Sequence, residues 1–129
     1  MARNTRTFSD LDAAFSLNPR TRDVAAKYDD NAIRGALRNL IHTKHYDRPF
    51  QPQIGCQLHN MLFENMDVLT LALAERTIRD AIVKFEPRVD LLNVTVTAKD
   101  SNDLYIEVIY KIKNTTIPNV FTTTFTRVR

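Results

Sequence analysis

Apolar positions along this chain follow three different rhythms. Over residues 1–30 they are isolated, at Phe8, Leu11, Phe15 and Leu17 with Pro19 among them, and no helical or two-residue period persists. That stretch reads as an extended arm that gains order only against something else, with residues 23–28 suited to a short strand at its end. A helical rhythm then begins. Asp29, Asp30 and Asn31 are residues that cap free amides at a helix start, and Ile33, Leu37, Leu40 and Ile41 fall on one face after them. Gly35 inside this helix costs about 1 kcal/mol relative to alanine, which a close backbone contact would justify. The helix is expected to stop before Arg48-Pro49, because a residue preceding proline is pushed out of the α region.

The two prolines of Arg48-Pro49-Phe50-Gln51-Pro52 make a stiff connector, and Gly55 follows at a turn. Leu58, Met61, Leu62 and Phe63 suit a short helix over residues 57–64. Asn65-Met66-Asp67 offers a second cap before the clearest helix of the chain. Its stripe is Leu71, Ala74, Ile78, Ala81, Ile82 and Phe85, with Glu75, Arg76, Arg79 and Asp80 facing away. The period then drops to two. Leu92, Val94, Val96 and Ala98 alternate with polar residues, and after Asp100-Ser101-Asn102-Asp103 so do Leu104, Ile106, Val108, Tyr110 and Ile112. This pair predicts a β-hairpin with one buried face. Beyond a loop containing Pro118, a strand rich in Thr and Phe runs from Val120 to Thr126.

The elements predict an α+β fold. A small helical layer packs on a short sheet that contains the hairpin and a C-terminal edge strand. The expected organisation is one domain over residues 1–129: an extended N-terminal arm at 1–30, a helical part at 31–88 and a β part at 89–129. With 43% hydrophobic and 26% charged residues, the 129-residue chain can bury a core without staples.

A formal net charge of +3 is mild, and acids interrupt the bases, as where Asp23 follows Arg20 and Arg22. Nucleic-acid binders gather Lys and Arg on one face, so nucleic acid is not an expected partner. Nor is a membrane, since no apolar stretch approaches the roughly 20 residues needed to span one. The first six residues lack the apolar core of a signal peptide. A single cysteine, Cys56, cannot close an internal disulfide, and the chain is expected to be made in a cytoplasm.

Catalytic chemistry finds little to build on. Glu64 and Glu86 bracket the long helix, whereas a glycosidase holds its two carboxylates about 5–10 Å apart. A helix between them runs about 28 Å, which separates its ends. His42 and His45, with Cys56 and His59, superficially supply four zinc ligands, but the spacing matches no common finger. There is no Gly-x-Ser-x-Gly, and two glycines cannot make a phosphate-cradling loop. No metal, cofactor or enzyme activity is expected.

One constellation remains, Glu86-Pro87-Arg88. Pro87 ends the long helix and leaves two opposite charges at a rigid corner. Arg88 either caps the helix carbonyls or pairs locally with Glu86, or the exposed corner serves as a docking point that loses little entropy when bound.

Taken in order, several segments resemble the baseplate wedge and sheath-initiator family of contractile-tailed phages, which has a counterpart in the type VI secretion baseplate. They are Asp30-x-Ala32-Ile33 with Asn39-Leu40, Arg48-Pro49-Phe50-x-Pro52-x2-Gly55-Cys56-x-Leu58, Leu62-Phe63-Glu64 and Glu86-Pro87-Arg88. The resemblance runs from about Phe8 to Tyr110. It implies a structural virion protein of the tail baseplate whose partners are baseplate wedge proteins and the tail sheath protein, with tail tube or hub neighbours as further contacts. It implies that Glu86, Pro87 and Arg88 dock into the inner wedge complex. It also implies that strands of the first sheath ring continue the β end of the chain. An edge of Val120, Phe121, Thr122, Thr123, Thr124 and Phe125 is suited to such strand addition, and proline at Thr123 is expected to block it by removing an amide donor. A cytoplasmic regulator of the same fold and a peptidoglycan hydrolase are the alternatives; older descriptions of the family as a tail lysozyme find no support in these residues.

Overall fold

The computed structural model describes residues 7–127. Its elements are β1 (Ser9–Leu11), β2 (Ala26–Tyr28), α1 (Asp29–His42), α2 (Leu58–Met61), α3 (Val68–Phe85), β3 (Val89–Asp100), β4 (Asp103–Ile112) and β5 (Pro118–Thr126). Strand β4 carries the unbroken alternation: Leu104, Ile106, Val108, Tyr110 and Ile112 are all buried, and the residues between them are half-exposed. It is the central strand of an antiparallel sheet in the order β3-β4-β5. The hairpin is therefore as expected, but its first strand is not in the expected phase throughout. A register shift between Leu91 and Asn93 turns Leu92 out, 53% exposed, and Val89 and Leu91 face the core in its place. One bulged residue moves every later side chain to the other face, which period counting cannot detect. Ala98, near the hairpin tip, is also exposed.

The helices cover one face of this sheet. α1 buries Ala32, Ile33, Leu37, Leu40 and Ile41, and α3 buries Ala74, Ile78, Ala81 and Ile82. Leu71 and Phe85 pack against the same core from the ends of the α3 stripe. α2 is shorter than the predicted 57–64. Beyond Met61 the chain tightens into three-residue turns, with Phe63 donating to Asn60 and Glu64 to Met61.

Four expectations need correction. α1 stops before Arg48-Pro49 as expected, but the proline is not the cause: it ends at His42, where Thr43 turns extended and its hydroxyl folds back onto the Asn39 carbonyl at 2.5 Å. Gly55 is what lets the connector return. Its φ is 121°, and a Cβ there would lie 2.4 Å from the Thr43 carbonyl oxygen. The acidic residues at the helix starts do not cap. Asp29 Oδ1 instead accepts the amides of Thr7 and Phe8 at 2.9 and 3.0 Å, and Asp30 is taken by Tyr110 and Arg34. Asp67 makes no side-chain cap either. Glu75 does not face away, because its Oε1 accepts the Val96 amide of β3 at 3.1 Å.

The N-terminal stretch is the fourth correction. It is a two-stranded antiparallel ribbon, β1 on β2, extended by a bridge between Leu17 and Val24 and packed on α1. Three-residue strands are too short for a period to register. Asp12 holds the ribbon's turn, accepting the Ser16 hydroxyl at 2.5 Å and the Lys27 ammonium at 3.0 Å. The Ser16 hydroxyl, then Lys27, pull its carboxyl down to about 2.

Tyr110 connects the layers. Fully buried on β4, it donates to Asp30 Oδ1 on α1 at 2.7 Å. Burial, then the Asp30 carboxylate, raise its pKa, so the hydroxyl remains a donor through the neutral range. Tyr110→Phe keeps the ring and removes this one bond to a charged acceptor. The expected loss is about 1.5–3 kcal/mol in urea unfolding, and an unchanged midpoint would show that the bond contributes nothing net.

Candidate docking corner and strand edge

The last helical bond of α3 runs from the Glu86 amide to the Ile82 carbonyl at 2.9 Å, and Pro87 prevents any continuation. Arg88, one residue before β3, then folds back over the helix end. Its Nε donates to Glu86 Oε1 at 2.6 Å and Nη2 to Oε2 at 2.9 Å, a bidentate pair. Its Nη1 reaches both carboxylate oxygens of Asp10 on β1 at 3.1 Å. The Glu86 bonds, followed by those of Asp10, raise the guanidinium pKa further. The Phe8 ring lies 5.9 Å from the guanidinium carbon.

The corner is therefore not exposed as the sequence suggested. Glu86 is only 6% accessible and the Arg88 side chain 22%. Of the two local roles, pairing with Glu86 is the one that forms. Asp10 is a site residue that sequence reasoning missed. It lies 78 positions from Arg88 in a stretch without period, so no local signal could have found it.

Beside the corner opens a groove of about 450 Å³. Its floor is the face of α1 that carries Ala32, Gly35, Ala36 and Asn39, with Asp10 and Glu86 at one side. The close contact expected at Gly35 is absent, since a Cβ there would meet nothing within 4 Å. The missing side chain widens the groove.

Strand β5 lies along β4, with Phe121 and Phe125 in the core and Val120, Thr122 and Thr124 exposed. Two bonds fix which amides point outward. Lys113 donates to the Arg88 carbonyl and Arg127 to the Asn102 carbonyl, so the Val89–Ile112 and Asp103–Thr126 pairs are the non-bonded kind. Counting by two along β5, Val120, Thr122 and Thr124 turn their amides out and Thr123 turns its amide toward β4. Among the described residues, no side chain takes these outward groups. Proline at Thr123, the substitution suggested by sequence, would break the internal ladder and leave the edge donors in place.

The candidate zinc ligands are dispersed differently from their spacing. His42 stacks on Phe125 at 4.4 Å and touches Thr123 Oγ1 at 3.3 Å, while His59 meets the same ring edge-on at 4.7 Å. Burial lowers both imidazole pKa values and pushes the Cys56 thiol up to about 12. Among the described residues no three His, Cys, Asp or Glu side chains gather as metal ligands would.

A family model described as baseplate wedge protein gp25 matches residues 27–116. This chain belongs to the baseplate wedge protein gp25 family. It is 34% identical over 113 residues to the baseplate wedge protein gp25 of Enterobacteria phage T4, covering 87% of this chain and 85% of that one. Among solved structures, a Geobacter sulfurreducens protein provisionally named a tail lysozyme aligns with a TM-score of 0.69 at 26% identity, over 75% of this chain and 89% of its own. A chain of the anti-feeding prophage baseplate shares the fold at 20% identity with a TM-score of 0.66, over 95% of this chain and 87% of its own. The gp25 family match contains the Glu86-Pro87-Arg88 corner and stops two residues before β5 begins.

The corner's burial reverses the expectation that its residues are cheap to replace. Arg88→Ala would leave the Glu86 carboxylate buried without its partner, at a cost of roughly 1–3 kcal/mol or more. Arg88→Lys recovers only part of this, because an ammonium cannot match the bidentate geometry. Urea melts of both variants check it, and a loss below about 0.5 kcal/mol for Arg88→Ala would return the corner to an exposed role.

Proposed function

We propose that this chain is a structural subunit of a contractile-tail baseplate, located in the virion tail. In this reading it docks inner wedge proteins beside Glu86-Pro87-Arg88 and offers β5 to the tail sheath as a template for its first ring. Membership of the gp25 family supports the baseplate context. The observation that carries the sheath half is the row of outward amides at Val120, Thr122 and Thr124 on an uncovered strand. A free strand edge is a preformed binding site for an extended segment, because backbone groups provide the affinity whatever the side chains.

The docking half draws on the groove next to the corner. All three guanidinium nitrogens of Arg88 are already engaged by Glu86 and Asp10, so the triad acts chiefly by holding helix end, strand start and arm in one shape. The contact itself falls on the groove's small-residue floor. A hydrolase reading has less to stand on, since both oxygens of Glu86, one of its two candidate carboxylates, are bound by Arg88.

Two experiments separate the halves. Gly35→Leu meets no atom within 4 Å at its Cβ and improves helix propensity, so the folded chain should be as stable or more stable by about 0.5–1 kcal/mol. It fills the groove, and binding to purified wedge proteins should fall at least tenfold; unchanged binding by a stable variant would remove the groove from the interface. Thr124→Pro deletes an outward donor at an edge position where proline is tolerated. Particles assembled with it should carry baseplate and tube without an ordered sheath, and normal sheaths would overturn the strand-template mechanism while leaving the baseplate role intact.

A further inference from the structure

A three-stranded sheet has two edges, and in this fold they are treated differently. Among the described residues no side chain takes the outward amides of β5, whereas on β3 the Val96 amide is taken by Glu75 Oε1 at 3.1 Å. Glu75 comes from the second turn of α3, an 18-residue helix anchored in the core, so its carboxylate is held at the edge by a rigid element.

The position it covers is the vulnerable one. Residues 91–98 of β3 read Leu-Leu-Asn-Val-Thr-Val-Thr-Ala, eight residues with no charge, proline or glycine. Such uncharged, β-prone runs pair readily with any strand that reaches them. The bulge between Leu91 and Asn93 disrupts the edge on one side, leaving residues 93–98 as the regular part, with Val96 within it. The two-residue period turns the amides of Val94 and Ala98 the same way as that of Val96.

We propose that Glu75 closes the β3 edge against a second copy of this chain and so makes the sheet receptive on the β5 side alone. Two identical strands pair antiparallel by a twofold axis, each offering the other the same donors and acceptors. Pairing about Val96 would have to displace both Glu75 side chains and leave two carboxylates near one seam, stripped of water and facing like charge. Without Glu75 the same run meets its twin with no opposing charge. The functional consequence, a sheath grown from one edge, rests on the β5 reading; the closure of β3 does not.

The wild-type chain gives a first test by amide hydrogen exchange. Val96 should exchange at least tenfold more slowly than Ala98, whose outward amide has no acceptor among the described residues. Equal rates would mean that the Glu75 bond does not persist. In the second test Glu75→Ala, confirmed as folded by circular dichroism, should accelerate Val96 exchange and shift sedimentation toward a dimer with rising concentration. Glu75→Gln, which keeps an acceptor oxygen, should exchange like the wild type. Adding Ala98→Pro to Glu75→Ala should return it to a monomer by removing an outward donor from the exposed edge. A Glu75→Ala chain that stays monomeric, whatever its Val96 exchange, would overturn the proposal. Thr124→Pro probes the other edge separately: failure at β3 with a sheath defect in Thr124→Pro refutes only the guard, and the opposite pattern refutes only the template.

Discussion

The structure is governed by the demand that one face of a three-stranded sheet be covered. β4 places five consecutive alternate side chains, Leu104 through Ile112, into the core, and α1 and α3 supply the layer that removes them from water. Burying that face is the dominant favourable term for a chain of this size. The remaining features follow from it. Helices on one face leave the other in solvent, where Thr95, Thr122 and Thr124 sit. A sheet of only three strands also has its edges close to the core, so the edges must either be closed or be used.

Charge at the Glu86–Arg88 corner has a different task. A buried ion pair seldom adds much net stability, because desolvation offsets most of its attraction. What it provides is geometry. Arg88 engages Glu86 at the helix end and Asp10 on the arm at once, so the helix end, the strand start and a segment 78 positions away meet at one guanidinium. A planar five-donor group can satisfy two carboxylates simultaneously, which an ammonium cannot do with the same direction. The corner thus shapes the groove beside it more than it displays charge, and the groove's floor is open at Gly35.

The gp25 family match spans residues 27–116 and carries the corner with it, whereas β5 lies beyond it. The strand is tied into the core by Phe121 and Phe125, with His42 and His59 against the latter ring. Removing it whole would therefore uncover the core along β4. A single outward amide is the finer probe, because it changes the edge and spares the packing.

Much of the architecture was legible in the chain itself. The stripe of Ala74, Ile78, Ala81 and Ile82, the alternation from Leu104 to Ile112 and the stop at Pro87 are local patterns, set by the geometry of a helix turn, a pleat and a proline ring. The segments around Arg48-Pro49-Phe50 and Glu86-Pro87-Arg88 also pointed to the right family. What the sequence could not state is anything that depends on a partner far along the chain. Asp29 and Asp30 look like caps until Phe8 and Tyr110 arrive, Glu75 looks solvated until β3 passes beside it, and Glu86 looks exposed until Arg88 and Asp10 close over it. The bulge after Leu91 and the inward amide of Thr123 are likewise properties of register. A polar side chain carries no mark of which distant group it will meet, and only the folded chain, by bringing those groups within 3 Å or so, decides it.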